Sequence, residues 1–438
     1  MQRYFLRILF LAALYVSASA NATPDEFGVE AFDGTFDLPT HSIPMDRAGF
    51  IEPLPNNPAP HIALILPLKS RAFAEVAEVV HQGFIAAATV QQGLPVRVYP
   101  CGNEAAEVIS LYQQAVADGA LAVVGPLTRN GVSALADYPN ISVPTLALNT
   151  AETLSTSYKF YYFGLSVENE ARQIAHLAAA AGLSDATVIN TGTAISKRLA
   201  AAFTEEWLLS GGSINAQVHF NGDFSALTNL PVAPWPEGME PQPASAVSDT
   251  GEPLPPVRPT LPPIAPGNVV FLSAAHNKAR LIRPYLNPTI PVYGTSQLFI
   301  GNTNKLDGFD LNDVRFVDMP WLLQPDHPAV MIYPRAATPL SPEMDRFYAL
   351  GIDAYRLVYK LLYDHADNDS PLDGVTGRIS LDRQQFQREG IPAYFRQGLG
   401  LTPEMLYAIN TAKAQAKAEA EAAAKLAEQE NTAPPPAQ

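Results

Sequence analysis

The folded part of the chain opens abruptly at His61-Ile62-Ala63-Leu64-Ile65-Leu66-Pro67-Leu68, a short continuous apolar run. Such a run fits a strand covered on both faces, as in a parallel sheet. Phe73, Val76, Ala77, Val80, Phe84, Ala87 and Ala88 follow at three- and four-residue spacing and predict a helix with one buried stripe. The alternation then repeats. A strand at 96–99 leads to a helix over 104–118, a strand at 121–125, a short helical stretch at 132–136 and a strand at 144–148. A second series starts after Phe160-Tyr161-Tyr162-Phe163-Gly164, with helix 168–181, strand 187–190, helix 196–209, a stop at Gly211-Gly212 and strand 214–220. Strand 268–272, helix 276–286 and strand 291–294 continue it. Ser341-Pro342-Glu343 opens a further helix, with Met344, Phe347, Gly351, Tyr355, Val358 and Leu362 as its stripe, and a turn and strand over 374–382 close the body. Alternating elements of these lengths imply βαβ units, and two successive series imply an α/β chain of two lobes, each a doubly wound, mainly parallel sheet.

The flanks and one internal stretch break this rhythm. Arg3 and Arg7, the apolar stretch Ile8–Val16 and Ala20-Asn21-Ala22 read as a secretory signal over 1–22, cut after Ala22 or Ala20, with an uncut membrane anchor as the alternative. Residues 23–60, rich in Pro, Asp and Asn, read as an extended lead-in. Between 221 and 267 the chain carries twelve prolines, from Pro231 to Pro266, too many for helix or central strand. That insertion is a surface spacer or a proline-rich docking segment. After Asn410 an Ala-rich stretch with Lys and Glu predicts a solvated helix, with Glu421 and Lys425 correctly ordered for an i,i+4 pair, before a Pro-rich tail.

Charge and chemistry narrow the function. The net charge is −15, and removal of 1–22 takes away two arginines and no acid, leaving −17. That balance argues against nucleic acid and anionic membrane as direct partners. Cys101 is the sole cysteine, so no internal disulfide forms; after a strand it reads as a packing residue. No cysteine follows the signal's cleavage site, so no lipid anchor is expected there. There is no G-x-S-x-G, H-E-x-x-H, G-x-x-x-x-G-K or C-x-x-C, and the eight histidines are scattered singly. Neither catalysis, a metal nor a cofactor is expected. Open α/β sheets gather ligands at the carboxyl ends of their strands. Lys69 and Ser70, Thr128 and Arg129, and Asn149 and Thr150 stand at such ends and are the candidates to line a crevice between lobes. Turning the chain and capping the next helix is their structural alternative.

Several stretches together resemble the LppC family. They include Val123-Val124-Gly125-Pro126-Leu127, Pro144-Thr145-Leu146-Ala147-Leu148-Asn149, Val292-Tyr293-Gly294-Thr295-Ser296-Gln297, Arg315-Phe316-Val317-Asp318-Met319-Pro320-Trp321-Leu322-Leu323, Ala349-Leu350-Gly351-Ile352-Asp353-Ala354-Tyr355 and Thr376-Gly377-Arg378-Ile379-Ser380-Leu381-Asp382. The resemblance runs over about residues 61–400 and adds Ser296, Asp318 and Trp321 to the crevice candidates. It implies a type 1 periplasmic-binding-protein-like fold over 61–410, with lobe one at 61–166 and 296–368 and lobe two at 167–295 and 369–410. It also implies a periplasmic, non-enzymatic activator of a bifunctional penicillin-binding protein, working through a protein surface. This chain departs from the family's lipid-anchored members, which carry a helical N-terminal domain where it has only 23–60. The competing function is a solute-binding protein whose lobes close on an amino acid or other small polar ligand. A cell-wall hydrolase lacks the residues it would need.

Overall fold

The computed structural model describes residues 59–151, 153–224, 227, 267–363 and 370–432, with backbone only for 424–432. The expected signal, most of the lead-in, most of the proline-rich insertion and the proline-rich tail lie outside the described residues. Helices of seven residues or more are numbered below; shorter ones are named by their ends.

In chain order the first half gives β1 (His61–Leu66), α1 (Ala74–Gln91), β2 (Val96–Pro100), α2 (Ala105–Ala117), β3 (Ala120–Val124), α3 (Arg129–Ala136), β4 (Thr145–Ala147) and β5 (Phe160–Phe163). Then come α4 (Val167–Ala180), β6 (Asp185–Asn190), α5 (Ala194–Leu209), β7 (Ser213–His219), β8 (Asn268–Ser273), α6 (His276–Ile282), β9 (Val292–Tyr293) and β10 (Arg315–Asp318). The last part holds α7 (Pro342–Tyr363), β11 (Leu372–Asp373), β12 (Arg378–Asp382), β13 (Gln385–Glu389), β14 (Ile391–Arg396), β15 (Leu399–Leu401) and α8 (Pro403–Thr432).

Two sheets result. One runs β11-β12-β13-β5-β4-β3-β1-β2 and the other β15-β14-β10-β9-β8-β6-β7. In each, five parallel strands take the doubly wound order 2-1-3-4-5, and the late strands add antiparallel pairs at the far edge. Each sheet is covered on both faces, which is why its strands read as unbroken apolar runs. In β1, Ile62, Leu64 and Leu66 pack into one cluster, while Ala63 and Ile65 pack into another on the opposite face. In β8, Val270 and Leu272 are separated from Val269 and Phe271 in the same way.

The sheets divide the chain differently from the expected lobe limits. Strands β11–β13 belong to the first sheet, because β13 pairs in parallel with β5 through Gln385–Tyr162 and Phe386–Phe163. β10 belongs to the second sheet, paired with β9 and with β14. Lobe one is therefore built on β1–β5, α7 and β11–β13, and lobe two on α4 to β10 together with β14, β15 and α8. The chain crosses between them at 164–166, again between β10 and α7, and at Gly390 between β13 and β14.

The helix from Pro342 also differs from the single stripe expected. Met344, Phe347 and Leu362 are only partly buried, whereas Arg346, Tyr348, Leu350, Ile352, Asp353, Ala354 and Leu357 are buried with Gly351, Tyr355 and Val358. The helix is enclosed on several sides because it packs along α1 and beneath the segment that follows β10. Gly83 and Gly351 make the α1–α7 approach: a Cβ on Gly83 would lie 2.0 Å from the Tyr348 carbonyl oxygen, and one on Gly351 2.1 Å from that of Val80. α8 starts earlier than the composition change suggested, at Pro403, and its described side chains beyond Thr411 are exposed. The expected Glu421–Lys425 pair lies outside the described side chains; Lys417 and Glu421 approach to 3.8 Å instead.

Candidate functional site

In a sheet of order 2-1-3-4-5 the crevice lies at the carboxyl ends of the two strands that flank the reversal. In lobe one these are β1 and β3, and the sequence candidates do cluster there. Their polar groups are largely occupied. The Lys69 ammonium is exposed and bonds Glu107 at 3.1 Å. Ser70 is buried, its hydroxyl accepting from the Phe73 amide at 3.3 Å as the chain turns into α1. Thr128 caps α3, accepting from the Gly131 amide at 3.3 Å. The Asn149 amide group donates to the Leu127 carbonyl at 3.0 Å, and its oxygen accepts from the Thr150 amide at 2.9 Å. Arg129 is exposed on the first turn of α3. Capping and turning thus account for Ser70, Thr128 and Asn149.

Lobe two has a matching reversal at β6 and β8, which the sequence reading missed. It is also closed by its own hydroxyls. The Ser196 Oγ donates to the Ser273 carbonyl at 2.6 Å and accepts from the Thr191 amide at 2.8 Å, and the Ser273 Oγ donates back to the Ser196 carbonyl at 2.7 Å. Thr193 caps α5 through the Ser196 amide at 3.1 Å. Thr193 just ahead of α5 and Ser196 in its first turn were the available signal for this end.

The other three candidates, Ser296, Asp318 and Trp321, meet elsewhere, at the junction where the chain crosses between lobes. All three are buried. Asp318, the last residue of β10, is gripped by Arg346 of α7, whose Nη2 donates to Oδ2 at 2.6 Å and whose Nε donates to Oδ1 at 3.1 Å. The same Nη2 donates to the carbonyls of Ser296 at 3.1 Å and Phe299 at 2.8 Å. Burial by itself would lower the Arg346 pKa; the Asp318 charge and hydrogen bonds more than offset it, so the guanidinium stays charged. The Ser296 amide donates to Glu170 of α4 at 3.0 Å, and the other oxygen of Glu170 takes a short charge-assisted bond from Arg388 of β13. Trp321 lies beneath Arg335, whose guanidinium sits 3.7 Å from the ring centroid, and its Nε1 donates to Asp345 at 3.2 Å.

Two further side chains complete the junction. Gln173 of α4 holds both backbone groups of the crossing residue, donating to the Gly390 carbonyl at 2.7 Å and accepting from the Gly390 amide at 2.9 Å. Asp353 of α7 accepts from the amides of Val375 at 3.1 Å and Thr376 at 2.7 Å and pins that turn to the helix. Glu170, Gln173, Arg346, Asp353 and Arg388 were not singled out from the sequence. One signal was present: Arg346 and Asp353 are seven residues apart, hence on one face of a helix rich in apolar residues.

Among the described residues no group of three metal-ligating side chains gathers, and no helix is long and apolar enough to cross a membrane. Two open concavities lie away from both the strand ends of lobe one and the junction. One, about 490 Å³, runs between α5 and β7 along Lys197, Thr204 and Gln217; the other, about 380 Å³, lies by Gln91, Tyr359 and Leu372. Burial pushes the Cys101 thiol up to about 11, which suits a packing residue.

The chain matches the family model described as LppC putative lipoprotein over residues 50–233 and 262–398. The penicillin-binding protein activator LpoA of Pantoea ananatis is 27% identical over 305 residues, covering 65% of this chain and 44% of that protein. LpoA of Pectobacterium parmentieri is 27% identical over 309 residues, covering 67% and 45%. The chain therefore spans less than half the length of the curated relatives it matches. A solved structure from Chromobacterium violaceum, described as a putative branched-chain amino acid ABC transporter, superposes with a TM-score of 0.62 at 35% identity, covering 77% of this chain and 100% of that one. The LpoA C-domain of Haemophilus influenzae, described as a regulator of PBP1A, superposes at 0.60 with 21% identity, covering 78% and 99%, a likeness of fold.

Proposed function

The chain belongs to the LppC family, and on that premise we propose that it is a periplasmic, non-enzymatic regulator of a penicillin-binding protein, working by protein–protein contact. The relatives of that name are called activators. The observation that carries the reading is that the polar groups best placed to hold a ligand are already bonded within the chain. Ser70, Thr128 and Asn149 are taken up in lobe one and Ser196 and Ser273 in lobe two. To donate to a ligand, Ser196 and Ser273 must each give up the bond their hydroxyl proton already makes, at a cost of about 1 kcal/mol each, whereas Ser70 and Thr128 only accept in the bonds they make. The expected signal over 1–22 supports export to the compartment where such synthases work. The bifunctional class of synthase is part of the proposal.

The test is reconstitution. The full chain freed of residues 1–22 is added to a purified bifunctional penicillin-binding protein, and glycan polymerisation and cross-linking from lipid II are followed. Stimulation of several-fold, together with co-sedimentation, is expected; no change with any synthase of the same cell refutes the regulator.

Solute binding is the second reading, favoured by the 35% identical chain described as a putative branched-chain amino acid ABC transporter. Arg129, exposed at the first turn of α3, is the group left to meet a carboxylate in that case. A thermal-shift screen against leucine, valine and isoleucine separates the two readings, because a ligand at a hundred times its Kd adds about 2.7 kcal/mol. A clear rise in melting temperature would favour the binding protein.

A further inference from the structure

Four buried charges lie where the chain crosses between lobes, two arginines from lobe one and two carboxylates from lobe two. Arg388 of β13 grips Glu170 of α4, and Arg346 of α7 grips Asp318 of β10. Glu170 and Asp318 are joined through one residue, Ser296, whose amide binds the first carboxylate and whose carbonyl binds the arginine of the second. All four side chains are nearly or fully buried. We propose that Glu170, Asp318, Arg346 and Arg388 lock the two lobes at one angle, so that the crevice between them does not open and shut as a ligand clamp.

A hinge works when a few crossing residues absorb large changes in φ and ψ. Each crossing here is tied down. After the first, α4 sends Asn169, Glu170 and Gln173 back onto lobe one or the third crossing, with Asn169 donating to Gln387 at 2.6 Å. At the second, the Trp321 amide donates to the Val375 carbonyl of lobe one at 2.9 Å. At the third, both the amide and the carbonyl of Gly390 are held by Gln173. A Cβ on Gly390 would lie 3.0 Å from the Asp318 carbonyl oxygen, so the second and third crossings also touch. Rotating the lobes would part ion pairs whose side chains are buried against one another, and charges left buried without their partners would make the opened state rarer by roughly a hundredfold. A binding protein that captures its ligand by closure needs both states within reach.

The experiment measures the angle directly. Spin labels are placed at Tyr158 in lobe one and Leu209 in lobe two, both strongly exposed, in the full chain carrying Cys101→Ser. Double electron–electron resonance is recorded with and without 10 mM leucine (about that concentration, chosen to saturate weak sites). One narrow distance distribution, the same in both samples, is expected. A second variant adds Glu170→Leu, Arg388→Met and Gln173→Ala, which removes one charge pair as a unit instead of stranding one partner, the change that buried pairs tolerate best. Its distribution should broaden at least twofold or gain a second peak. Two populations in the parent, a shift with leucine, or a folded variant as narrow as the parent would each overturn the lock. Should the variant not fold, the parent's distribution decides alone: single and unmoved supports the lock, split or moved refutes it. A chain that holds one angle yet stimulates no synthase refutes the regulator and leaves the lock standing.

Discussion

Trp321→Ala should damage folding far more than partner binding. The indole is 1% exposed and packs in the main core of lobe one, tilted against Tyr348 at 5.5 Å between centroids. Truncating a buried aromatic to alanine costs about 3–5 kcal/mol through lost burial and the cavity left behind. The lost bond from Nε1 to Asp345 adds about 1 kcal/mol, little of it a stranded-group penalty, because Asp345 is half-buried and can take water. Loss of the ring beneath Arg335 adds about another 1 kcal/mol, while the bond from Arg335 to the Trp321 carbonyl survives the change. The contributions overlap, so a total near 5 kcal/mol is expected, or a melting temperature lower by about 10–20 °C for a unit of lobe size. Trp321→Phe keeps most of the apolar volume and loses the donor, and should cost about 1–2 kcal/mol. Calorimetry and urea unfolding measure both, with co-sedimentation against the synthase run at a temperature where the variant stays folded. An alanine variant that melts within about 3 °C of the parent yet no longer binds would refute the packing argument and make the 318–321 stretch a contact surface.

Three further outcomes follow from the packing and the charges. Arg346→Met alone strands Asp318 in the interior and should cost about 3–5 kcal/mol, whereas Asp318→Leu with Arg346→Met should recover most of it; a double-mutant cycle in urea reads the coupling, and additive losses would contradict it. Gly351→Ala, aimed at the Val80 carbonyl 2.1 Å away, should destabilise by several times the roughly 1 kcal/mol expected of Gly182→Ala, where a Cβ meets nothing and only the positive φ resists, as paired urea titrations would show. Stability should fall at alkaline pH. Burial, with the nearby Glu107 charge, raises Cys101 from 9.0 to about 11, and burial, with the Asp118 charge, raises Tyr99 from 10.0 to about 12. Each group is neutral when folded and ionises first in the unfolded chain, so its contribution is full below pH 9 or 10 and is lost as pH rises through about 11 or 12. Urea midpoints at pH 8 and 10.5 (about those values) should drop, and Cys101→Ala should flatten the first part of the fall.

The parallel strands and their helices were legible because both faces of each sheet are covered. β1, β3, β6 and β8 bury apolar side chains on both sides and announce themselves as runs, and α1, α4 and α5 show their stripes. Buried charge obscured part of the rest. β13, Gln-Phe-Gln-Arg-Glu, buries Phe386 and Arg388, so half of its inward face is an arginine and the alternation reads as polar. β10 is only four residues long and ends in a buried aspartate, and in α7, itself foreseen, the inward turn of Arg346 and Asp353 was not. Those omissions also moved the lobe limits, since β10 and β13 decide which sheet the late chain joins. A hydrophobic pattern cannot show a charge that is buried because its partner is buried, when that partner lies elsewhere in the sequence.

The same blindness bears on function. Polar residues at strand ends were the visible candidates for ligand contact, and the structure spends three of the six, Ser70, Thr128 and Asn149, on caps and turns. The invisible residues, Glu170, Gln173, Arg346 and Arg388, make the densest buried polar cluster described above, at the crossings between lobes. Buried ion pairs are weak contributors to stability beside apolar packing of equal volume, so their worth lies in fixing an arrangement that apolar contacts would leave free to slide. A clamp would gain nothing from a fixed arrangement, because its ligand is what selects the closed state. A surface made jointly by two lobes does gain, since a partner that spans both pays less to order them. The burial of opposite charges at the crossings and the bonds already made at the strand ends both support the reading proposed above, a protein recognised from outside.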